Sequence, residues 1–303
     1  MAYPTPQVTN TTAAVFIPEI WSDEVIAAYK MNLVAANVFK KMSFKGKKGD
    51  TIHIPKPTRG NASVKASEAP VTLIAATETE VNILIDKHYE YSRFIEDITE
   101  VQALASMRRF YTDDAGYALA KQVDTDMVQL GRVMNGGDGT ADYDAGFTGA
   151  DGTTLYDGTN AAALTDIAVR NVIQKLDDQD VPTAGRFFLV PPAARNTLLG
   201  LDRYTAMDSV GEAGSANSIR NGHIGNLYGI PVYVTSNADT TATDGDRVCL
   251  MGQKDAAILV EQLGVRSQVQ YKQDYLSTLY TSDTIYGVKD LRDDSAFALV
   301  VPA

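Results

Sequence analysis

The residues that could do chemistry are few and lie far apart in the sequence. The three histidines are His53, His88 and His223, and no second histidine or carboxylate accompanies them at metal-ligand spacing. The single cysteine, Cys249, lies between apolar neighbours, which is typical of a buried strand residue, and a thiol nucleophile would need a nearby base. We therefore predict no catalytic residue, no metal site and no cofactor.

Motifs that bind nucleotides or activate a serine are also missing from the sequence. Residues 46–49 have the wrong order for a phosphate-binding loop, and the glycines at 211–214 do not follow a predicted strand. No Gly-x-Ser-x-Gly elbow occurs. The adjacent pairs Asp113-Asp114 and Asp177-Asp178 fall in predicted helices, where neighbouring side chains point to different sides. These patterns argue against an enzyme.

One acidic segment, residues 136–160, has side chains that could bind calcium. Its aspartates are Asp138, Asp142, Asp144, Asp151 and Asp157. Their spacing does not match the twelve-residue calcium loop that closes with a glutamate. We predict a solvated surface insertion. The alternative is a calcium-dependent hydrolase or a carbohydrate-binding protein that uses this segment.

Composition narrows the class of protein. The chain has 303 residues and 45% hydrophobic content, which is enough for a sizeable core divided between two connected lobes. No apolar run is long enough to span a membrane, and we expect no export signal. The net charge of −11 disfavours general nucleic-acid binding, because that needs a basic surface to displace counterions.

Residues 97–134 predict one long helix, the spine, around which the other elements are arranged. Asp97 is a candidate N-cap with Glu100 three residues later, and residues 135–137 (Asn-Gly-Gly) provide a stop. Apolar residues three or four positions apart define one stripe: Val101, Leu104, Tyr111, Ala115, Leu119, Val123, Met127, Leu130 and Met134. At 1.5 Å per residue the predicted helix is roughly 55 Å long.

The N-terminal part of the chain has little to bury by itself. Residues 1–12 show no periodicity, so we expect a neighbouring subunit to hold them. An amphipathic helix is predicted over residues 22–42. The lysine-rich run at 40–48 is either a solvated face or pairs with acidic groups of an adjacent chain.

A hairpin is predicted before the spine. Ile52 and Ile54 alternate with polar residues, and residues 81–91 alternate over a longer second strand. The linker between the strands, residues 56–76, is rich in Ala, Ser, Thr and Pro. A projecting two-stranded ribbon is marginally stable and exposes its edges, so we expect it to lie on a neighbour.

The remaining residues predict a mixed α/β lobe followed by long strands. The predicted elements are a helix at 165–178, a strand at 187–190, a short helix between Pro192 and Gly200, a surface loop at 201–221, and strands at 230–234 and 248–251. Residues 265–275 predict a long, half-exposed strand. Residues 285–291 and 296–301 are predicted to pair with it and return the chain to the spine.

Four segments together resemble the major capsid proteins of tailed bacteriophages. They are residues 16–42 (FIPEIWSDEVIAAYKMNLVAANVFKKM), 47–55 (KKGDTIHIP), 221–237 (NGHIGNLYGIPVYVTSN) and 285–301 (IYGVKDLRDDSAFALVV). The resemblance covers nearly the whole chain. Its most specific features are the Gly-Ile-Pro-Val-Tyr-Val run and the long spine preceded by an extended hairpin. Members of this family share the Hong Kong 97-type capsid fold.

The resemblance implies an α+β fold with five parts in a fixed order. They are an N-terminal arm and helix (1–43), an extended β-hairpin loop (44–95), a peripheral-domain spine helix with the acidic loop (96–160), a mixed α/β axial domain (161–262) and peripheral-domain β-strands (263–303). By position, residues 59–69 would be the tip of the extended loop, and residues 201–221 a loop at the centre of a pentamer or hexamer.

The resemblance also implies a function. The chain would be a structural, non-enzymatic subunit that self-assembles into pentamers and hexamers, forming an icosahedral phage head in the virion after assembly in the host bacterial cytoplasm. Its partners would be copies of itself, a portal, a scaffolding protein and decoration proteins, with no membrane. The shell would enclose DNA without binding it tightly. The alternative within the same fold is an encapsulin-like compartment.

Two details of the family are expected to differ here. Residues 1–15 alone precede the first resembling segment, so we expect the scaffold to be a separate protein or one already removed. Some relatives join a lysine of the extended loop covalently to an asparagine of another subunit. Lys56 and Lys65 are the lysines in that stretch, and we expect no cross-link.

Overall fold

The computed structural model describes residues 34–44, 49–56, 60–65, 67–68, 70–71, 73, 78–96, 105–201 and 225–303. The helices are α1 (Ala35–Val38), α2 (Ala105–Gln129), α3 (Asp166–Asp178) and α4 (Pro192–Leu199). The strands are β1 (Lys40–Ser43), β2 (Thr51–Lys56), β3 (Thr79–Leu84), β4 (Lys87–Glu96), β5 (Phe147–Thr148), β6 (Arg186–Val190), β7 (Asn226–Leu227), β8 (Ile230–Val234), β9 (Arg247–Gln253), β10 (Ala257–Lys272), β11 (Ser277–Asp290) and β12 (Ala296–Val301). This content confirms the α+β class.

These strands form three sheets. The strand orders are β1-β10-β11-β4 in a four-stranded sheet, β5-β12-β9-β6-β8-β7 in a six-stranded sheet, and β2-β3 in a two-stranded ribbon. The six-stranded sheet is covered on both faces. Phe188 and Val190 of β6 pack with apolar residues of α3 and α4. Phe187 and Leu189, which alternate with them, pack with apolar residues of α2.

The spine is confirmed as a helix, with different bounds. Its 25 residues in α2 make it about 37 Å long at 1.5 Å per residue. After Gln129 the chain tightens into 3-10 turns at Leu130–Arg132 and Met134–Gly136. Asn135 and Gly136 both have positive φ, as the predicted stop requires. The predicted N-cap, Asp97 with Glu100, lies outside the described residues.

The apolar stripe of the spine faces the core. Ala115, Leu119, Met127 and Met134 are buried, and Tyr111, Val123 and Leu130 are partly buried. The two remaining members of the predicted stripe, Val101 and Leu104, are outside the described residues. The described part of the stripe therefore agrees with the helical period of the sequence.

The predicted helix over residues 22–42 is wrong at its C-terminal end. Helix α1 stops at Val38, and Lys40–Ser43 form β1, which runs parallel to Ile258–Glu261 of β10. The change occurs at Phe39, whose backbone is extended and whose buried ring meets the edge of Phe187 at 4.8 Å between centroids. Residues 22–33 lie outside the described part of the chain.

The long second strand predicted for the hairpin is two strands in different sheets. β3 pairs with β2 in antiparallel register, Ile52 opposite Ile83. β4 instead pairs with β11, Tyr91 opposite Ser282. The break falls at Ile85 and Asp86, where the chain leaves the ribbon and enters the four-stranded sheet. Alternation alone could not locate it, because both strands alternate with the same period of two.

The second lobe follows the sequence prediction closely. α3 begins after Thr165, whose hydroxyl accepts a hydrogen bond from the Ala168 N–H at 3.2 Å. α4 has Pro192 at its start and Gly200 after its end. The predicted strands at 187–190, 230–234 and 248–251 correspond to β6, β8 and β9. Of the predicted loop at 201–221, the structure describes only Leu201.

The pairing predicted for the last strand is wrong. β11 pairs with β10 as expected, but β12 pairs with β9 and β5 in the six-stranded sheet. β9 and β12 approach closely at Gly252, where an added Cβ would lie 2.5 Å from the Cβ of Ala296. All six residues of β12 are buried, as in a central strand. The bounds of the five parts of the fold stay a prediction.

Candidate assembly surface

The residues that we considered for chemistry are distributed over separate parts of the fold. His53 Nδ1 lies 3.2 Å from Glu80 Oε2 across the ribbon. His88 Nε2 lies 3.4 Å from Asp283 Oδ2 in the four-stranded sheet. His223 is outside the described residues. Within the described ranges, no three His, Cys, Asp or Glu side chains are grouped as metal ligands.

Cys249 and the paired aspartates take structural positions. Cys249 is buried in β9, and burial raises the pKa of its thiol. Asp114 accepts a hydrogen bond from the Tyr91 hydroxyl at 3.1 Å. Asp177 accepts one from the Arg186 guanidinium at 2.6 Å. These carboxylates bind groups of their own fold, and the lack of a catalytic site stays a prediction.

Three aspartates of the acidic loop, Asp138, Asp151 and Asp157, each close a local turn. Asp138 Oδ1 accepts from the Thr140 N–H and hydroxyl at 2.8 and 2.7 Å. Asp151 accepts from the N–H and hydroxyl groups of Thr153 and Thr154, all within 3.0 Å. Hydrogen bonds to backbone N–H groups of Thr154 and Thr153 hold the pKa of Asp151 well below its usual range. The carboxylates are used within the loop.

The description of this loop as a solvated insertion needs correction. Tyr143, Phe147 and Tyr156 are buried, and β5 within the loop pairs in parallel with β12. The Tyr143 hydroxyl donates to Asp239 at 2.7 Å, and burial raises the pKa of that hydroxyl. The sequence emphasised the aspartates, but the aromatic residues between them attach the loop to the sheet.

Two buried aspartates of the spine, which sequence reasoning missed, connect it to segments distant in sequence. Asp126 accepts a hydrogen bond from the Tyr286 hydroxyl at 2.8 Å and forms an ion pair with Lys87 Nζ at 3.0 Å, linking α2 to β11 and β4. Asp124 accepts from the Ala36 N–H at 3.3 Å and from Asn237 Nδ2 at 3.0 Å. The only signal in the sequence was the presence of acids within an apolar helical stretch.

The ribbon is fixed at its base. Ile83 and Ile85 are buried against Ile258 and Val260, the start of β10. The ribbon backbone crosses β11 at Gly287, where an added Cβ would lie 2.4 Å from the Leu84 carbonyl oxygen. Only a glycine allows that approach. The base of the ribbon is therefore part of the subunit core.

Beyond its base most of the described residues of the ribbon are exposed, although Ile52 and Ile54 are partly buried. In β3, Ile83 is the only buried residue. The described residues of the linker are exposed, including Val64 at 99% and Leu73 at 87% of their accessible surface. Nothing in the described part of the chain covers these apolar side chains. They form a surface for contact with another molecule.

A second exposed region is the outer half of the four-stranded sheet, which we define as Val265–Tyr271 of β10 with the paired residues of β11 and β4. Val265 and Val269 are exposed at 57% and 55%. Arg266 makes two hydrogen bonds to Asp283, at 3.0 and 2.7 Å. Ser267 and Ser282 are hydrogen-bonded at 2.9 Å. Cross-strand contacts thus order this region, although little of it is buried.

Both exposed regions offer strand edges and apolar side chains. Edges of this kind pair readily with another chain. The geometry indicates a protein-protein contact surface. No helix within the described residues is long and apolar enough to cross a lipid bilayer.

Comparison with known proteins agrees with this geometry. Residues 95–298 match the family model described as phage capsid protein. No curated protein matches the chain. Similar solved structures include a chain of Mycobacterium phage Che8, with 24% identity, a TM-score of 0.73, and coverage of 94% of this chain and 97% of that one.

Two other similar structures extend the comparison. The capsid of the cyanophage P-SCSP1u has 19% identity, a TM-score of 0.76, and coverage of 99% of both chains. The mature capsid of bacteriophage PhiM1 has 14% identity, a TM-score of 0.70, and coverage of 94% of this chain and 92% of that one. At these identities the likeness establishes the fold, and the predicted Hong Kong 97-type capsid fold is confirmed. Because the family model matches more than half of the sequence, this chain belongs to the phage capsid protein family and is a structural subunit of a virion shell.

Proposed function

We propose that this chain forms the icosahedral head of a tailed phage by assembling into pentamers and hexamers around the DNA genome. The observation that supports this most directly is the ribbon. Its base is buried beside β10, whereas the described residues of its linker are exposed. An element that is anchored at one end and exposed at the other is suited to reach across a neighbouring subunit.

The ribbon contact would stabilise a shell because it is repeated at every subunit interface. A ribbon laid on a neighbour adds backbone hydrogen bonds and apolar contact, each worth little alone, at every subunit interface of a closed shell. The exposed apolar side chains of the linker, Val64 and Leu73 among them, would lose water in that contact. A modest gain per interface therefore becomes a large gain for the lattice.

Charge supports the role of a container. With a net charge of −11, the subunit repels the phosphate backbone on average and would enclose DNA without tight binding. We propose no enzymatic activity. The partners would be other copies, a portal, a scaffolding protein and decoration proteins, with assembly in the host bacterial cytoplasm.

Electron microscopy of the purified assembly tests this proposal. We expect closed particles tens of nanometres wide, with pentamers at the vertices and hexamers between them. A small soluble oligomer would contradict the proposal. A closed shell with an enzyme inside and no vertex open to a portal would instead indicate an encapsulin-like compartment.

Boiling the same particles in SDS tests the expectation of no cross-link. We expect a single band at 32.7 kDa. Lys56 and Lys65 are both exposed in the subunit, whereas the cross-linking reaction needs a desolvated carboxylate beside the lysine. A ladder of multimers would show that the neighbouring subunit completes such a site.

A further inference from the structure

We propose that the outer edge of β10 pairs with the same edge of a second copy, antiparallel and across a twofold axis, with Gln268 on the axis. The paired segment is Arg266–Gln270. This inference rests on the proposed shell function, because a closed shell supplies twofold axes at which identical edges meet. It names a contact between subunits that is separate from the ribbon.

The first observation is that this edge has no strand beside it within the described residues. β10 runs from Ala257 to Lys272, and its inner neighbour β11 pairs with it along most of that length. On the outer side, β1 pairs only with Ile258–Glu261. The backbone groups of residues 266–270 that point outward are thus available to another strand.

The second observation is that common protections against edge pairing are weak here. Residues 262–272 contain no proline. The charge of Arg266, which would otherwise oppose pairing, is bound at two points by Asp283. The β-bulges in the pairing of β10 with β11 lie between Glu261 and Arg266, so the register is regular from Arg266 to Lys272. The proposed segment is the regular part of the edge.

Charge also favours a second copy of this chain as the occupant. The chain carries 38 acidic residues, which make copies repel each other over most of their surface. Residues 262–272 contain no acidic residue, and their only charged side chains are Arg266 and Lys272. Repulsion between acidic side chains of two copies is therefore small along this edge.

The side chains of the segment are compatible with those of a second copy. Arg266, Gln268 and Gln270 alternate on one face, and a glutamine amide both donates and accepts hydrogen bonds, so it can pair with its own copy. Ser267 and Val269 are on the other face, and Val269 is exposed. A second copy of β10 would therefore meet compatible side chains along this segment.

Charge selects the register. With Gln268 on the axis, Arg266 lies opposite Gln270 of the second copy, and Ser267 lies opposite Val269. A shift that placed Val269 on the axis would bring Arg266 opposite Lys272, and like charges directly opposite each other destabilise a strand pair. With Gln268 on the axis this repulsion between like charges is absent, and the exposed segment Val265–Tyr271 is centred on the axis.

Cysteine cross-linking tests the contact in assembled particles. On mild oxidation, the Gln268→Cys variant should form disulfide-linked dimers, because residues on the axis of an antiparallel pair have Cα atoms about 5 Å apart. The matched control is Lys272→Cys on the same face, where the two copies would be about 27 Å apart and should not link. Cys249 is buried and should not react.

A charge test needs no cross-linker. Gln268→Glu alone, or Gln268→Lys alone, places like charges opposite each other and should weaken each contact about two- to fivefold. An equimolar mixture of the two variants should restore the particle yield, since a residue on a twofold axis faces its own copy. No rescue by mixing, or linking at Lys272→Cys in place of Gln268→Cys, would overturn the proposal.

The wild-type chain separates this inference from the proposed function. If wild-type subunits form no particles, the shell function itself is contradicted. If wild-type subunits form particles of normal yield, and particles of the folded Gln268→Cys variant contain no disulfide-linked dimers, only the proposed twofold contact is overturned. Circular dichroism of each variant confirms that its subunit is folded.

Discussion

The six-stranded sheet and the outer half of the four-stranded sheet use the same kind of secondary structure for opposite purposes. Every residue of β6 and β12 is buried, and β6 lies between α2 on one face and α3 with α4 on the other. In β10 the first four residues are buried, whereas Val265–Tyr271 are exposed on both faces. A single strand thus starts in the subunit core and ends at the surface.

We therefore expect one region to stabilise the subunit and the other to contact neighbouring subunits. Burial of apolar surface contributes roughly 25 cal/mol per Å², so the six-stranded sheet and its helices hold the subunit together. The outer half of the four-stranded sheet and the ribbon contribute much less to that total, and they retain strand edges for other chains. Substitutions in the two kinds of region should therefore affect different measurements.

The largest effect should come from removing the tip of the ribbon. Replacing residues 59–69 with a short glycine-containing turn should abolish particle formation, because every interface loses the same contact. Thermal unfolding of the isolated subunit should hardly change, since the ribbon base at Ile83 and Ile85 stays intact. Particles of normal yield and stability, or a subunit that no longer folds, would contradict this assignment.

A cavity in the six-stranded sheet should have the next largest effect, on subunit stability. Phe188→Ala removes a fully buried ring from β6 and should lower the free energy of unfolding by about 3–5 kcal/mol in urea titrations. The matched control, Val269→Ala in the exposed part of β10, should change it by less than about 0.5 kcal/mol. Similar losses for both variants would remove the distinction between the two sheets.

The acidic loop, residues 136–160, should make a smaller contribution to subunit stability, and this contribution should be lost in acid. The pKa of Asp151 is lowered in the folded chain, so its contribution to stability is present above the ordinary carboxyl pKa of 3.8 and is lost as the pH falls through the lower folded value. The wild-type urea midpoint should thus fall more steeply below about pH 4 than that of Asp151→Asn.

The control for this measurement is Asp142→Asn, a substitution at an exposed aspartate of the same loop. It should keep the acid dependence of the wild type. If Asp151→Asn also keeps that dependence, the hydrogen bonds from Thr153 and Thr154 do not stabilise the folded loop.

Chelation should have the smallest effect. Treatment of assembled particles with EDTA should leave their number and size unchanged in electron micrographs, because Asp138, Asp151 and Asp157 of the loop already accept hydrogen bonds from neighbouring threonines. Dissolution by EDTA that calcium reverses would identify the acidic loop as a calcium site between subunits. The loop would then belong with the assembly regions.

Local signals predicted the second lobe well. Thr165 before α3, and Pro192 and Gly200 around α4, are end signals that act within a few residues, and the structure agrees with them. The buried strand β6 could be predicted for a similar reason, since a short, wholly apolar run between turn signals is typical of a sheet covered on both faces.

The errors have a common cause. Lys40–Ser43 continue a helical pattern in the sequence, yet they pair as β1 with a strand more than 200 residues later. The break at Ile85 and Asp86 and the pairing of β12 with β9 also depend on distant partners. Hydrophobic period describes which face of an element is buried, but it carries no information on which partner buries it.

The sequence by itself determined the long spine helix, the mixed lobe, the exposed ribbon and the absence of recognisable catalytic motifs, because these follow from local spacing and composition. Only the tertiary structure showed that Asp124 and Asp126 connect the spine to segments distant in sequence, that aromatic residues attach the acidic loop, and that β1, the outer neighbour of β10 within the described residues, stops pairing with it at Glu261. The physical reason is that burial, hydrogen-bond partners and strand edges are properties of contacts between residues distant in sequence, which form only when the chain folds.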